Sequence, residues 1–255
     1  MRRTLIVILI AIIFVPGYSQ KWKLTRYEAI AGIGTTSFFG DIGGYPNGSN
    51  LFGLKDISLL STRPSLYLGA RYKIQQDKSI KFNLIFAWFN RKDNPSINYQ
   101  GARNYSFNTF AVEHSLQFEY SFVKEDRHRF SFALFNRRGM LNNYSKIGLY
   151  GFAGLGGLLF KPGLNGQIDP KYETKKTSLG YTMVLPVGIG VKLIYNNKYA
   201  FGFELGGRYV LSDYVDGLST QYSHHKDVYY FGVFNLVYRI KTSIKGYPIL
   251  FNNSL

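Results

Sequence analysis

Apolar and polar residues alternate with period two in several stretches of this chain, and no stretch after Lys21 keeps a 3.6-residue apolar period. Side chains of a strand point to opposite faces in turn, so this alternation marks strands with one apolar face. In Ser65–Tyr72, Leu66, Leu68, Ala70 and Tyr72 share one face, while Ser65, Gly69 and Arg71 share the other. From Phe110 to Phe122, Phe110, Val112, Leu116, Phe118, Tyr120 and Phe122 oppose Glu113, Ser115, Gln117, Glu119 and Ser121. A third stretch sets Phe201, Phe203, Leu205 and Tyr209 against Gly202, Glu204, Gly206 and Arg208.

The pattern predicts strands over Tyr27–Ser37, Arg63–Ile74, Ser79–Asn90, Ser106–Val123, Lys146–Lys161, Leu179–Tyr195, Tyr199–Ser212 and Val228–Ile240. The count is even, as single-chain bacterial barrels require. Residues 75–78 and 196–198 are tight turns, whereas 38–62, 91–105, 162–178 and 213–227 are long. Short turns face the periplasm and long loops the exterior. One connection departs from this rule, because Lys124–Ser145 falls on the periplasmic side yet is 22 residues long.

A soluble exported sandwich also alternates, so the choice of solvent rests on other signals. Met1-Arg2-Arg3, the apolar run Leu5–Val15 and Pro16–Gln20 read as a secretory signal peptide over residues 1–19, cut between Ser19 and Gln20. Eleven apolar residues are too few for a membrane-spanning helix. Strands of about ten residues with aromatic-rich apolar faces suit lipid outside and polar groups inside. Aromatic residues make up 17% of the chain. The expected fold is therefore all-β, an eight-stranded antiparallel up-and-down transmembrane β-barrel over residues 20–240 in the outer membrane. A periplasmic C-terminal tail follows over 241–255. The absence of Cys excludes disulfide frameworks, thiolate catalysis and a lipoprotein anchor.

The formal charge of +16 is unevenly placed. On the expected topology the periplasmic elements hold sixteen cations and three carboxylates, while the outer loops carry about +2. Such a face suits phospholipid headgroups or an acidic protein partner. An exported barrel meets no nucleic acid. The candidate partner-binding residues are Arg127, Arg129, Arg137 and Arg138, in the long basic connection.

Eight strands enclose a lumen that side chains can fill. Glu28, Arg71, Glu113, Glu119, Lys192, Glu204 and Arg208 are expected to face it as a nearly balanced charge network, since lone buried charges are costly. No catalytic set emerges. In Glu113-His114-Ser115 adjacent side chains point to opposite faces, so His114 and Ser115 cannot form a dyad. His224-His225, with Asp216 and Asp227 nearby, lacks a metal-ligand spacing. Gly154-Leu155-Gly156-Gly157 precedes no helix and reads as close backbone packing or a bend, not as a phosphate cradle. No cofactor is expected.

Several runs resemble the PorG family, the small outer-membrane barrel of the Bacteroidetes type IX secretion system. They are EAIAGIGTTSFFGDIGG (Glu28–Gly44), YGFAGLGGLLFKP (Tyr150–Pro162, with Lys161 where Asn is more usual) and Leu185–Tyr222. The last carries Pro-x-Gly-x-Gly-Val-Lys, Glu-x-Gly-x-Arg and Asp-Tyr-x-Asp in order. The resemblance spans most of residues 22–240 and is weak over 91–145. It implies a non-enzymatic barrel that anchors or helps assemble the protein secretion machinery, which some of these bacteria also use for gliding. The implied partners are a periplasmic ring lipoprotein and its partner protein, besides outer-membrane lipids. Two other functions fit the residues alone: a generic small barrel with a structural or lipid-binding role, and a lipid-modifying outer-membrane enzyme.

Overall fold

Each alternating segment is a strand in the computed structural model, which describes residues 21–40, 42, 62–93, 104–123, 129–131, 144–166, 173–174, 178–212, 214–219, 227–243 and 245–249. After a 3-10 turn at Lys21–Thr25 come β1 (Tyr27–Phe39), β2 (Arg63–Lys73), β3 (Lys78–Lys92) and β4 (Ser106–Val123). Then follow β5 (Arg129–Ser131), β6 (Tyr144–Asn165), β7 (Glu173–Thr174) and β8 (Gly180–Ile194). The series ends with β9 (Tyr199–Val210), β10 (Leu218–Ser219) and β11 (Val228–Ile240). Short β5, β7 and β10 lie outside the eight strands expected from the sequence, and those eight form the wall.

The wall runs β1-β2-β3-β4-β6-β8-β9-β11 and closes where β11 pairs with β1, every neighbour antiparallel. Register partners followed once around run from Tyr27 through Tyr72, Ile80, Phe118, Ala153, Val187, Gly207 and Tyr230 to Ser37. The circuit returns to β1 ten residues from its start, so the strands are tilted and staggered as closure demands.

Every wall strand turns apolar side chains outward, among them Ile33, Leu68, Phe82, Leu116, Leu155, Ile189, Leu205 and Phe234. Ile33 is 71% exposed and Phe234 69%, while Glu28, Arg71 and Glu204 are buried. A closed barrel that is apolar outside and charged inside is built for lipid, and it spans the outer membrane.

The tight turns lie where the sequence places them. Ile74 N donates to Lys78 O at 2.9 Å, and Asn196 Oδ1 accepts from Lys198 N and Tyr199 N at 2.9 and 2.6 Å. An Asn side chain that caps its own turn in this way needs no extra residues. Of the long connection at 124–145, the described part extends the wall. β5 pairs with β6 (Arg129↔Lys146 to Ser131↔Tyr144) beyond the last β4–β6 pair at Val123↔Leu149.

Candidate functional site: the lumen and the periplasmic rim

The lower half of the lumen, towards the tight turns, is an ion-pair layer. Glu28 is its hub: its carboxylate lies 2.8 Å from Arg71 Nη1, 2.9 Å from Lys192 Nζ, 3.0 Å from Lys73 Nζ and 3.7 Å from Arg239 Nε. Arg71 Nε reaches Glu119 Oε2 at 2.5 Å, and Lys81 Nζ bridges Glu119 and Glu204 at 2.7 and 2.8 Å. Tyr150 OH donates to Glu204 Oε1 at 2.7 Å and accepts from Arg71 Nη2 at 3.2 Å. The tilt of the strands lets residues from all eight wall strands converge here.

At mid-height a second group forms. Glu113 accepts from Tyr229 OH at 2.5 Å, from Ser115 Oγ at 3.0 Å and from Arg208 Nε at 3.3 Å. Arg208 also lies over the Phe231 ring at 4.5 Å. All seven charged residues assigned to the lumen from sequence are buried there. Lys73, Lys81 and Arg239, assigned to the periplasmic face, are buried beside them, giving six cations to four carboxylates. Among the described residues the periplasmic end then keeps nine cations (Lys21, Lys23, Arg26, Lys78, Arg129, Lys146, Lys198, Lys241 and Lys245) and one carboxylate, Asp77. Parity carried the missing signal: Lys73 follows Arg71 by two residues, Lys81 precedes Asn83 by two, and Arg239 follows Val237 by two.

The motif Pro-x-Gly-x-Gly of β8 makes room for this layer. A Cβ at Gly190 would stand 2.6 Å from the Tyr150 hydroxyl, and one at Gly188 2.5 Å from Phe152 Cζ. Gly154 and Gly156 face the lumen against β4, where a Cβ would come within 2.8 Å of Gln117 Cα and 2.6 Å of Ser115 Cβ. These glycines serve close packing.

The upper half is filled mainly by apolar rings, with Arg91, Asp93, Asp216 and Asp227 buried towards its outer end. Phe38 packs on Phe89 and Phe107 with ring centroids 5.3 and 5.2 Å apart, and Phe89 packs on Tyr229 at 4.9 Å. Leu158, Phe160 and Val184 join the same cluster. Tyr214–Ser219 then folds inward from the outer end and buries Val215 and Leu218. Thr109 Oγ1 donates to Val215 O at 2.8 Å, and Val215 N donates to Asp227 Oδ2 at 3.1 Å. β10 pairs with β7, joining two outer loops. The Asp-Tyr-x-Asp motif thus lies where the chain re-enters the barrel, with Asp213 itself outside the described residues.

On the outer surface His114 stacks on Tyr181 at 5.9 Å, whereas Ser115 is buried in the lumen, so no dyad exists between them. His224 and His225 lie outside the described residues, as do Ser19, Gln20, Arg127, Arg137 and Arg138. Arg129 opens β5, which places its backbone at the periplasmic end next to Lys146. Among the described residues no group of three or more His, Asp or Glu could hold a metal ion.

No family model matches the chain, and no curated protein matches it. Among solved structures it is similar to Neisserial surface protein A (10% identity, 84% of this chain and 96% of that one, TM-score 0.40). It is also similar to OprG from Pseudomonas aeruginosa (8%, 86% and 97%, 0.42). A major outer membrane protein from Thermus thermophilus is a further likeness (11%, 83% and 99%, 0.42). At such identities and TM-scores these likenesses say nothing about function.

Proposed function

We propose that this small outer-membrane barrel is a non-enzymatic anchoring or assembly element of the type IX protein secretion apparatus. It meets the periplasmic ring of that apparatus, a lipoprotein and its partner protein, through its periplasmic face. The observation that carries this reading is a periplasmic end with nine cations and one carboxylate among the described residues, beneath a lumen filled by ion pairs and aromatic rings. A filled lumen passes no solute, so the barrel's work falls to its surfaces. The wall extension at β5 and β6 carries the backbone of Arg129 and Lys146 past the end of β4, with Lys146 paired to Ile194 at the end of β8. The resemblance of Glu28–Gly44, Tyr150–Pro162 and Leu185–Tyr222 to the PorG family names the apparatus.

Charge complementarity raises association rate and specificity, and is screened within about 8 Å at physiological ionic strength. Replacing Arg127, Arg129, Arg137 and Arg138 with Gln is therefore expected to weaken recovery of the ring proteins from detergent extracts and to flatten its salt dependence, leaving the barrel folded. If the four-Gln variant recovers the ring as wild type does across a salt series, this docking surface is excluded.

A further inference from the structure

The entry to β1 and the exit from β11 are tied together at the periplasmic rim. Thr242 N donates to Leu24 O at 2.9 Å, and Arg26 N donates to Thr242 Oγ1 at 3.2 Å. The chain then doubles back: Ile249 N donates to Lys241 O at 2.8 Å, Thr242 bridges Pro248, and Gly246 turns at φ +89°. Few residues other than glycine adopt that φ.

This turn lies on the lipid side of the wall. Tyr27 OH donates to Gly246 O at 3.4 Å, and the Tyr27 ring packs against outward-facing Tyr72 at 5.1 Å. Arg26 Nη1 donates to Tyr72 OH at 3.4 Å, and its guanidinium covers Trp22 at 5.0 Å. Arg26 Nε is buried without a protein acceptor. The knob is thus continuous with the lower edge of the apolar belt.

Its exposed side chains are of two kinds. Leu24, Tyr247 and Ile249 are apolar and 55%, 70% and 42% exposed. Lys23, Lys241 and Lys245 are also exposed. Residues 21–26 and 241–249 carry five cations, with Lys21 and Arg26, and no carboxylate. Tyr and Lys placed at the edge of a lipid-facing belt bury their apolar bodies and keep their polar tips at headgroup level.

We infer that the joined terminal segments form a lipid clamp, which seats Tyr247 and Ile249 in the periplasmic leaflet and holds the phosphates of anionic phospholipid headgroups with Lys23, Lys241 and Lys245. The clamp does not depend on the docking of a secretion ring, which the proposed function assigns to the 124–145 segment. Continuity with the belt selects lipid over a protein occupant, because a protein seated there would have to displace boundary lipid.

The chain has no Cys, so Tyr247→Cys carries a nitroxide at a unique position. The labelled full chain is folded into vesicles of phosphatidylcholine alone or with phosphatidylglycerol added. Accessibility to oxygen and to a water-soluble nickel chelate is measured, with Ile33→Cys as the mid-belt reference and Lys198→Cys as the exposed-turn reference. Phosphatidylglycerol is expected to protect the 247 label from nickel, each engaged lysine favouring the seated turn roughly fivefold. Replacing Lys23, Lys241 and Lys245 with Gln should remove that dependence on anionic lipid, while the gel mobility of the unheated protein shows the barrel still folded. A 247 label as open to nickel as the 198 label in both vesicles overturns the clamp. Equal protection in both vesicles that survives the Gln replacements also overturns it, since apolar burial alone would then suffice. Protection found only in native outer membranes would assign the surface to a protein and overturn it as well.

Discussion

The two halves of the lumen are filled by different physics. Below, Glu28, Glu119 and Glu204 are shared among Arg71, Lys73, Lys81, Lys192 and Arg239, so each charge is tolerated only because several others are present. Above, Phe38, Phe89, Phe107, Leu158 and Phe160 interlock with Val215 and Leu218 from the inward loop, and each contributes mainly by the space it fills. Loss of one member therefore has different consequences. A deleted charge strands its partners, whereas a deleted apolar group leaves a hole whose cost stays local.

The largest effect is expected at the hub. Glu28→Leu leaves four cations without their common carboxylate and should lower stability by about 5 kcal/mol, the upper end for breaking a buried pair. Urea unfolding in lipid or detergent measures it, and wild-type stability would show that the layer is hydrated enough to stand alone. Leu158→Ala, in the apolar half, should cost about 3 kcal/mol through lost transfer energy and a residual cavity. Its effect should add to that of Thr109→Val, while Glu28→Leu and Glu204→Leu, within one network, should combine non-additively. Thr109→Val removes the hydrogen bond that holds Val215 O and should cost about 1 kcal/mol. The same variant should leave the periplasmic end unchanged, and hydrogen exchange confined to residues 214–219 would register the loosened plug.

The wall was legible in the sequence to a degree that the plug was not. Parity alone separates Leu66, Leu68 and Tyr72 from Arg71, and Glu113 from His114, because a strand permits only two directions. The expected spans Ser106–Val123 and Val228–Ile240 are the observed strands, and Lys146–Lys161 lengthens to Tyr144–Asn165. Lys73, Lys81 and Arg239 escaped because Lys and Arg near a turn read as solvated, although their parity placed them inside. Tyr214–Ser219 gave no local signal at all. Its burial depends on Thr109 of β4 and on Asp227, which lie 106 and 12 residues away in sequence from Val215. The hub position of Glu28 was equally hidden, since its four cations come from β2, β8 and β11 and meet only once the wall closes.

Under the proposed function a barrel with both halves filled acts through its surfaces, and conductance tests this most directly. Purified full-length chain inserted into a planar lipid bilayer is predicted to give no stepwise current at any ionic strength at which it stays folded, because the ion-pair layer and the aromatic plug lie in series. Discrete, reproducible conductance steps from the wild-type barrel would contradict the account and return the lumen to the centre of its function.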